Sequence, residues 1–266
     1  MSESHSELEQ IIAYMKSHWP SQVKEEWQVS IEEYPKILPQ VLKDFTADKT
    51  KGRNLIRIAG LSGSGKTTQL LPATEAFFKN RELKPVLVAA REFVKYHPHH
   101  NEIKEFYGEE NLRKMTDEFS TIMLFLAITE LIKNGYDIIL DVTLLDPAME
   151  HILQEMLTAA NYNQIILMIA ISPTVTEKFL SGRAWRHTKE TEAEFIRATK
   201  KSIVYYAENH PDTHIILWSV YDKPPIFDGK IKDCLDIFED YSNRTELPKK
   251  DDNERREAKI NYLKSL

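Results

Sequence analysis

Residues 55–68 read Leu55-Ile-Arg-Ile-Ala-Gly60-Leu-Ser-Gly-Ser-Gly65-Lys-Thr-Thr68, an apolar run followed by the spacing G-x-x-x-x-G-K-T. Such a glycine loop needs a strand before it and a helix after it, because the loop's N–H groups and the positive end of the helix together bind phosphate. The apolar run predicts the strand, and residues 69–78 can form the helix. Three of the chain's eight glycines lie in this loop, so a generic flexible linker explains it poorly.

The loop predicts a site for a nucleoside triphosphate, ATP in the first instance, with Mg²⁺. Its glycines allow backbone angles and close approaches that a side chain would forbid. Lys66 would reach the β- and γ-phosphates, and the Thr67 hydroxyl would bind Mg²⁺. The predicted nucleotide-binding residues are Gly60, Ser62, Gly63, Ser64, Gly65, Lys66, Thr67 and Thr68. The alternative, a chance match in a turn, requires the flanking strand and helix to be accidental as well.

Composition narrows the class of protein. The chain has 266 residues and a net charge of −6, and a general nucleic-acid binder usually has a basic balance. The longest apolar runs, residues 122–128 and 165–171, are too short to cross a bilayer. An acidic start without an apolar core argues against a signal peptide, and one cysteine excludes an internal disulfide framework. These features predict a protein of the reducing cytoplasm.

Three regions are predicted along the chain: a helical N-terminal extension with a linker over residues 1–52, a core over 53–245, and a charged tail over 246–266. Helical patterns occupy residues 8–19 and 30–45, and Pro35 and Pro39 should interrupt the second. The extension is either a structural cap on the core or a regulatory, partner-binding arm. The tail mixes both signs of charge, which is typical of a solvated helix.

The alternation of strand and helix patterns in residues 53–245 predicts an α/β fold of the P-loop kinase type, with a parallel sheet of about five strands wrapped by helices. Apolar runs predict strands over residues 55–59, 85–89, 137–140, 164–170 and 214–218. Helical spacing predicts helices over residues 67–80, 111–134, 147–160, 175–181, 191–209 and 228–238. Ligands of such sheets bind beyond the carboxyl ends of the strands.

Two features near those strand ends are candidates for catalysis. Asp141 follows an apolar strand, where an acid usually approaches Mg²⁺ or its water; the alternative is a solvated residue capping the next turn. The sequence of residues 181–188 predicts a basic loop whose Arg183 and Arg186 would suit a lid over the triphosphate, since charge develops on the γ-phosphoryl oxygens during transfer. Ordinary surface charge is the alternative for both arginines.

The segment Glu92-Phe-Val-Lys-Tyr-His97-Pro-His99-His100, followed by Phe106-Tyr-Gly108, resembles the zeta-toxin family of P-loop kinases. In that family an acidic strand end precedes a Phe, a His-Pro-His-Tyr sequence and a Tyr-Gly pair. The glycine loop, Asp141-Val-Thr143-Leu and Arg186 follow in matching order, and the resemblance covers residues 55–219. It implies an adenylate-kinase-like fold, phosphorylation of UDP-N-acetylglucosamine by ATP on the 3′-hydroxyl, and often a small helical antitoxin as partner.

The resemblance also implies roles for single residues. Arg183 and Arg186 correspond to lid arginines, while Asp141 and Thr143 would face the acceptor substrate. Glu92, His97 and His99 would line the acceptor side as well. Two positions depart from the family: Arg91 stands where the general-base Asp is expected, and Leu145 replaces an arginine. Glu92 is adjacent to Arg91, but neighbours in an extended segment point to opposite faces, so it is not a simple replacement.

These observations favour an ATP- and Mg²⁺-dependent kinase that transfers a phosphoryl group to a hydroxyl of a nucleotide sugar or similar acceptor. The predicted catalytic residues are Lys66, Asp141, Arg183 and Arg186, and the predicted metal ligands are Thr67 and Asp141. The alternative is a catalytically weak nucleotide-binding switch, or a toxin–antitoxin component, controlled by its N-terminal helices.

Overall fold

A computed structural model describes residues 12–17, 20–144, 147–179, 189–248 and 251–266. The chain forms two compact units. We call Met1–Asp48 with Val88–Asn134 the helical unit, and Lys49–Leu87 with Gly135–Leu266 the sheet unit. The domain boundaries predicted at residues 52 and 245 stay predictions.

Within the described residues the sheet has six strands and is mostly parallel, which confirms the predicted fold class. Its strands are β1 Asn54–Gly60, β2 Val86–Ala89, β3 Ile138–Asp141, β4 Asn163–Ala170, β5 His214–Ser219 and β6 Phe227–Lys230. Their spatial order is β2-β3-β1-β4-β5-β6. The five predicted strands agree with the structure to within about a residue, and β1 lies between β3 and β4, both parallel to it.

Helices of the sheet unit cover both faces of the sheet. They are α3 Leu71–Asn80, α7 Pro147–Ala159, α8 Pro173–Phe179, α9 Lys189–Asn209, α10 Leu235–Ser242 and α11 Asp252–Ser265. Helices are numbered along the chain, and the remaining numbers belong to the helical unit described below. Successive side chains of a strand point to opposite faces. In β5, Ile216 and Trp218 join the core cluster under α3, whereas Ile215 and Leu217 join the cluster that contains Phe238. Burial on both faces explains why the strands read as continuous apolar runs.

The prediction of one helix over residues 228–238 is wrong. This segment begins with β6, which pairs antiparallel to β5, and α10 starts only at Leu235. Among the described strands, β6 is the last of the sheet and pairs only with β5. Along it partly buried residues alternate with exposed ones, so the strand needs few apolar side chains. The strand therefore contains Asp228, Gly229 and Lys230 and carries no apolar signal.

The C-terminal helix α11 also differs from the solvated helix that its charges predict. It packs against α3 and against the turn Lys66–Leu70 that precedes α3, and Arg255, Lys259 and Leu263 are buried. Long basic side chains bury their methylene stems against apolar surface, as Lys259 does over the Trp218 ring. Burial lowers the pKa of Lys259 to about 8.

The helical unit contains α1 (residues 12–17), α2 Tyr34–Thr46, α4 His100–Tyr107, α5 Glu109–Met115 and α6 Asp117–Lys133. Tyr34 of α2 stacks on Phe119 of α6, and the Lys16 ammonium pairs with Glu118 at 2.6 Å. The N-terminal helices are therefore integral to this unit.

The predicted interruption of the helical pattern at Pro39 is wrong, whereas α2 begins only at Tyr34, beside Pro35, and residues 30–33 lie outside the helix. Pro35 occupies the first turn, where the missing N–H has no intrahelical partner to lose. Pro39 lies inside the helix, which nevertheless continues to Thr46. A proline there removes one hydrogen bond and costs about 3 kcal/mol, and packing of α2 on α6 offsets that cost.

Candidate active site

The glycine loop adopts a closed turn at the carboxyl end of β1. Gly60, Gly63 and Gly65 have positive φ angles of 134°, 76° and 100°, which side chains rarely allow. A Cβ on Gly60 would lie 3.0 Å from the carbonyl oxygen of Ile169 in β4. The glycine at residue 60 is therefore required both by its backbone angle and by the neighbouring strand.

Lys66 folds back over this loop. Its Nζ donates to the carbonyl oxygens of Gly60 and Leu61 at 2.6 and 2.9 Å. The ammonium group thus bridges two carbonyls of the turn and holds it closed. The next two side chains, Thr67 and Thr68, are exposed, so the hydroxyl predicted to bind Mg²⁺ is accessible.

A helix starts directly after Gly65. Residues Lys66–Leu70 form a π-helical turn that runs into α3, and the Gln69 N–H donates to the Gly65 carbonyl at 2.8 Å. The first N–H groups of a helix have no intrahelical acceptor and carry the positive end of its dipole. Strand, loop and helix therefore follow in the order that phosphate binding requires.

The loop after β3 lies against the glycine loop. Asp141 ends β3 and is paired in register with Ile58 of β1, two residues before Gly60. The Thr143 hydroxyl donates to the Gly60 carbonyl at 3.2 Å, the same oxygen that accepts from Lys66. The structure thus brings Asp141, Thr143 and Lys66 together at the carboxyl ends of β1 and β3.

Arg91 and Glu92 lie in the helical unit, and their backbone is not extended as the sequence analysis expected. They occupy a 3-10 turn, Ala90–Glu92, not an extended segment, and Arg91 Nε lies 3.1 Å from Glu92 Oε1. Residues in such a turn do not alternate between opposite faces as strand residues do. The prediction that the Arg91 and Glu92 side chains point to opposite faces is therefore wrong.

The two predicted acceptor-side histidines differ in exposure. His97 is only 4% exposed; its ring packs edge-on against Phe119, and its Nδ1 accepts the His99 N–H at 3.1 Å. Burial and the neighbouring His99 and His100 lower the pKa of His97 to about 4, so it is neutral at pH 7. His99 is more accessible and lies 3.7 Å from Glu102.

The structure adds Glu192, which the sequence analysis missed. This residue of α9 is 3% exposed, and neither carboxyl oxygen has a hydrogen-bond partner in the part of the chain that the structure describes. Burial raises the pKa of Glu192 to about 7, although the charge of Lys66 acts in the opposite direction. A single acid within a charged helical pattern gives no sequence signal for such burial.

Glu192 leads to a prediction about stability and pH. Its carboxyl holds a proton more tightly in the folded chain than at the ordinary pKa of 4.5. Folding therefore takes up a proton between pH 4.5 and 7, and the stability contribution of Glu192 is lost as pH rises through that window. We expect wild type to lose roughly 2–3 kcal/mol relative to Glu192→Gln between pH 5 and 8.

Urea denaturation at three pH values in that range measures this difference. The exposed neighbour Glu194 provides the matched control, since Glu194→Gln should show the pH dependence of wild type. A constant difference between wild type and Glu192→Gln across the range would contradict the assignment.

Arg183 and Arg186 lie outside the described residues, as does Leu145. The flanking helices α8 and α9 end and begin on either side of the predicted lid, at Phe179 and Lys189. The roles of Arg183 and Arg186 stay predictions.

The sheet order, the glycine loop on β1 and the strand-end Asp141 define a P-loop kinase-like fold. Residues 40–214 match the family model described as zeta toxin, and the chain belongs to the zeta-toxin family. A chain from the PezAT chromosomal toxin–antitoxin system of the human pathogen Streptococcus pneumoniae has a similar structure, with a TM-score of 0.65 and 20% identity. The match covers 90% of this chain and 100% of that one. No curated protein matches significantly.

These comparisons confirm the resemblance seen in the sequence. None of the described helices is long and apolar enough to cross a membrane.

Proposed function

We propose that the protein is a kinase that transfers the γ-phosphoryl group of ATP to a hydroxyl of a nucleotide sugar or a similar small acceptor. The observation that carries the proposal is the closed glycine loop, with the Lys66 ammonium over its centre and the Thr67 hydroxyl exposed. Membership of the zeta-toxin family supports the same activity.

The proposed roles follow from the chemistry of each side chain. The Lys66 ammonium would exchange its two carbonyl acceptors for β- and γ-phosphate oxygens, which carry more negative charge. The Thr67 hydroxyl and the Asp141 carboxylate offer the oxygen ligands that Mg²⁺ prefers. When bound, Mg²⁺ supplies charge neutralisation at the β- and γ-phosphates. Arg183 and Arg186 are proposed to contact the phosphoryl group from the lid.

UDP-N-acetylglucosamine is the first acceptor to test, because the family resemblance implies it. Glu92, His97, His99 and Thr143 are proposed to line the acceptor side. In the reaction the acceptor oxygen forms a bond to the γ-phosphorus, and the bond from that phosphorus to the bridging β–γ oxygen breaks. The acceptor hydroxyl releases its proton to water, since Arg91 stands at the position of the general base. ADP is the leaving group.

The position of the general base distinguishes this chain from its family. Arg91 stands there, and it is paired with the adjacent carboxylate of Glu92. Proton removal comes late in a loose phosphoryl-transfer transition state, and loss of a general base costs about 10²–10⁴-fold. Slow transfer, or transfer to a different acceptor, is therefore expected of this chain.

Arg91→Asp tests that explanation. We expect the change to raise transfer to UDP-N-acetylglucosamine by about 10²-fold or more, because it restores a carboxylate at the base position. Initial rates with radiolabelled ATP measure the effect. Arg91→Ala, which removes the positive charge without adding a base, is the matched control. Equal rates for the two variants would indicate that the chain uses another acceptor.

A catalytically weak nucleotide-binding switch is the second candidate, and Arg91 at the base position favours it. Isothermal titration with ATP–Mg²⁺ and a radiolabelled-phosphate screen over nucleotide sugars separate the two functions. Transfer to any acceptor supports the kinase. Binding without transfer or hydrolysis supports the switch, and its control would then be sought in the N-terminal helices. Failure to bind ATP–Mg²⁺ would reject both.

The similarity to a toxin–antitoxin protein supports a further proposal, that a small antitoxin-like protein binds this chain. Regulation of that kind would operate in the cytoplasm, where ATP and nucleotide sugars are available.

A further inference from the structure

Arg57 is an arginine buried within the strand that delivers the glycine loop. It lies in β1 and is only 1% exposed. Its guanidinium forms a bidentate ion pair with the Glu150 carboxylate of α7, in which Nη2 lies 2.8 Å from Oε1 and Nη1 contacts Oε2. The Tyr206 hydroxyl of α9 donates to the same carboxylate at 3.0 Å, and Gln154 donates to Tyr206 at 2.8 Å.

The other donors of Arg57 bind the loop after β3. Nε donates to the Val142 carbonyl at 3.1 Å, and Nη2 donates to the Thr143 carbonyl at 2.7 Å. These two carbonyls directly follow Asp141. Thr143 in turn donates to the Gly60 carbonyl, which also accepts from Lys66. A continuous chain of hydrogen bonds thus joins α7 and α9 to the phosphate-binding lysine.

Stability alone does not explain this arrangement. Removing a guanidinium and a carboxylate from water is costly, and a pair of apolar side chains of similar volume often stabilises a core equally well or better. Burial by itself would lower the pKa of Arg57, but Glu150 and Tyr206 raise it, so the arginine stays charged. Apolar side chains cannot bind the carbonyls of residues 142 and 143.

We propose that Arg57 is a positioning residue for phosphoryl transfer, which fixes the loop after β3 so that Asp141 and Thr143 are held against the glycine loop. Arg57 acts through these residues and does not touch the reacting atoms. The catalytic part of the inference rests on the proposed kinase function, whereas the fixing of the loop can be measured in its absence.

The main test replaces both buried charges. Arg57→Met with Glu150→Met keeps side-chain volume similar and leaves no unpaired buried charge, so we expect it to fold. Hydrogen–deuterium exchange of the peptide that contains residues 142–144 should become at least about tenfold faster than in wild type, since two carbonyl anchors are lost. Arg57→Lys keeps the charge but not the forked geometry, and should give an intermediate rate.

Kinetics provide the second measurement. With ATP–Mg²⁺ and UDP-N-acetylglucosamine as probes, we expect the double variant to lose about 100-fold in kcat, because small displacements of positioning groups have effects of this size. KM for ATP should stay within about twofold, because the Lys66 loop remains. Leu112→Ala in α5, whose core cluster contains none of residues 142–144, controls for lower stability and should leave kcat and the exchange of residues 142–144 unchanged.

Unchanged exchange at residues 142–144 in both Arg57 variants would overturn the inference, as would faster exchange with an unchanged kcat. If wild type binds ATP–Mg²⁺ but transfers to no acceptor, the kinase proposal fails and the catalytic part of this inference fails with it. Faster exchange would in that case still establish Arg57 as the residue that fixes the loop.

Discussion

Lys66→Ala is expected to abolish the thermal stabilisation that ATP–Mg²⁺ gives to the wild-type protein. A ligand at 100 times its Kd stabilises the folded state by about 2.7 kcal/mol, which corresponds to several degrees in Tm for a protein of this size. Without the ammonium group the triphosphate loses its main cationic partner. The carbonyls of Gly60 and Leu61 also lose their donor, so the closed loop itself is weakened.

Differential scanning fluorimetry with and without ATP–Mg²⁺ measures the shift. The matched control is Lys79→Ala, which removes an exposed lysine from the far end of α3 and should retain the full nucleotide-linked gain. An equal gain in Lys66→Ala would show that Lys66 does not bind the nucleotide, and the assignment of the site would fail.

Asp141→Asn is expected to lower kcat by about 100-fold and to raise the Mg²⁺ concentration needed for half-maximal activity. The substitution keeps the size of the side chain and removes its charge, so a weaker oxygen ligand remains for the metal. A positioned metal ion contributes several kcal/mol to transition-state stabilisation, and loss of one anchor forfeits part of it. Binding of ATP in the absence of Mg²⁺ should be unchanged.

Magnesium titrations of the initial rate, together with metal-free ATP binding, check this second prediction. Asp240→Asn in α10, an exposed partner of Arg244, serves as the control for an acid-to-amide change. A variant with the wild-type Mg²⁺ requirement would place the metal elsewhere and leave Asp141 with a structural role.

Most of the fold could be predicted because the central strands are buried on both faces. Short apolar runs bounded by turn residues are typical of strands buried on both faces, and the spacing of Gly60, Gly65 and Lys66 predicted where the glycine loop begins. The strand β6 escaped prediction because an edge strand needs few apolar residues. The tail was predicted as a helix, but its packing was not, because buried lysine and arginine stems look like surface charge in a sequence.

The site was predicted less completely, for reasons of geometry. Lys66, Thr67 and Asp141 can be chosen as candidates from the glycine loop and a strand end, and their roles stay predictions. The 3-10 turn at Arg91 breaks the alternation that an extended segment would give Arg91 and Glu92. Burial of Glu192 depends on contacts that no local pattern encodes. Arg57 did leave a signal, a single charge inside an apolar strand, although its partner Glu150 lies far along the chain.

The packing of α11 on α3 has a consequence for biosynthesis. Synthesis proceeds from the N-terminus, so the phosphate loop and α3 leave the ribosome long before residues 252–265 are made. The turn at Lys66–Leu70 and α3 lack that supporting surface during most of translation. A nascent chain therefore cannot present the glycine loop and α3 in their fully packed form until α11 has emerged and docked.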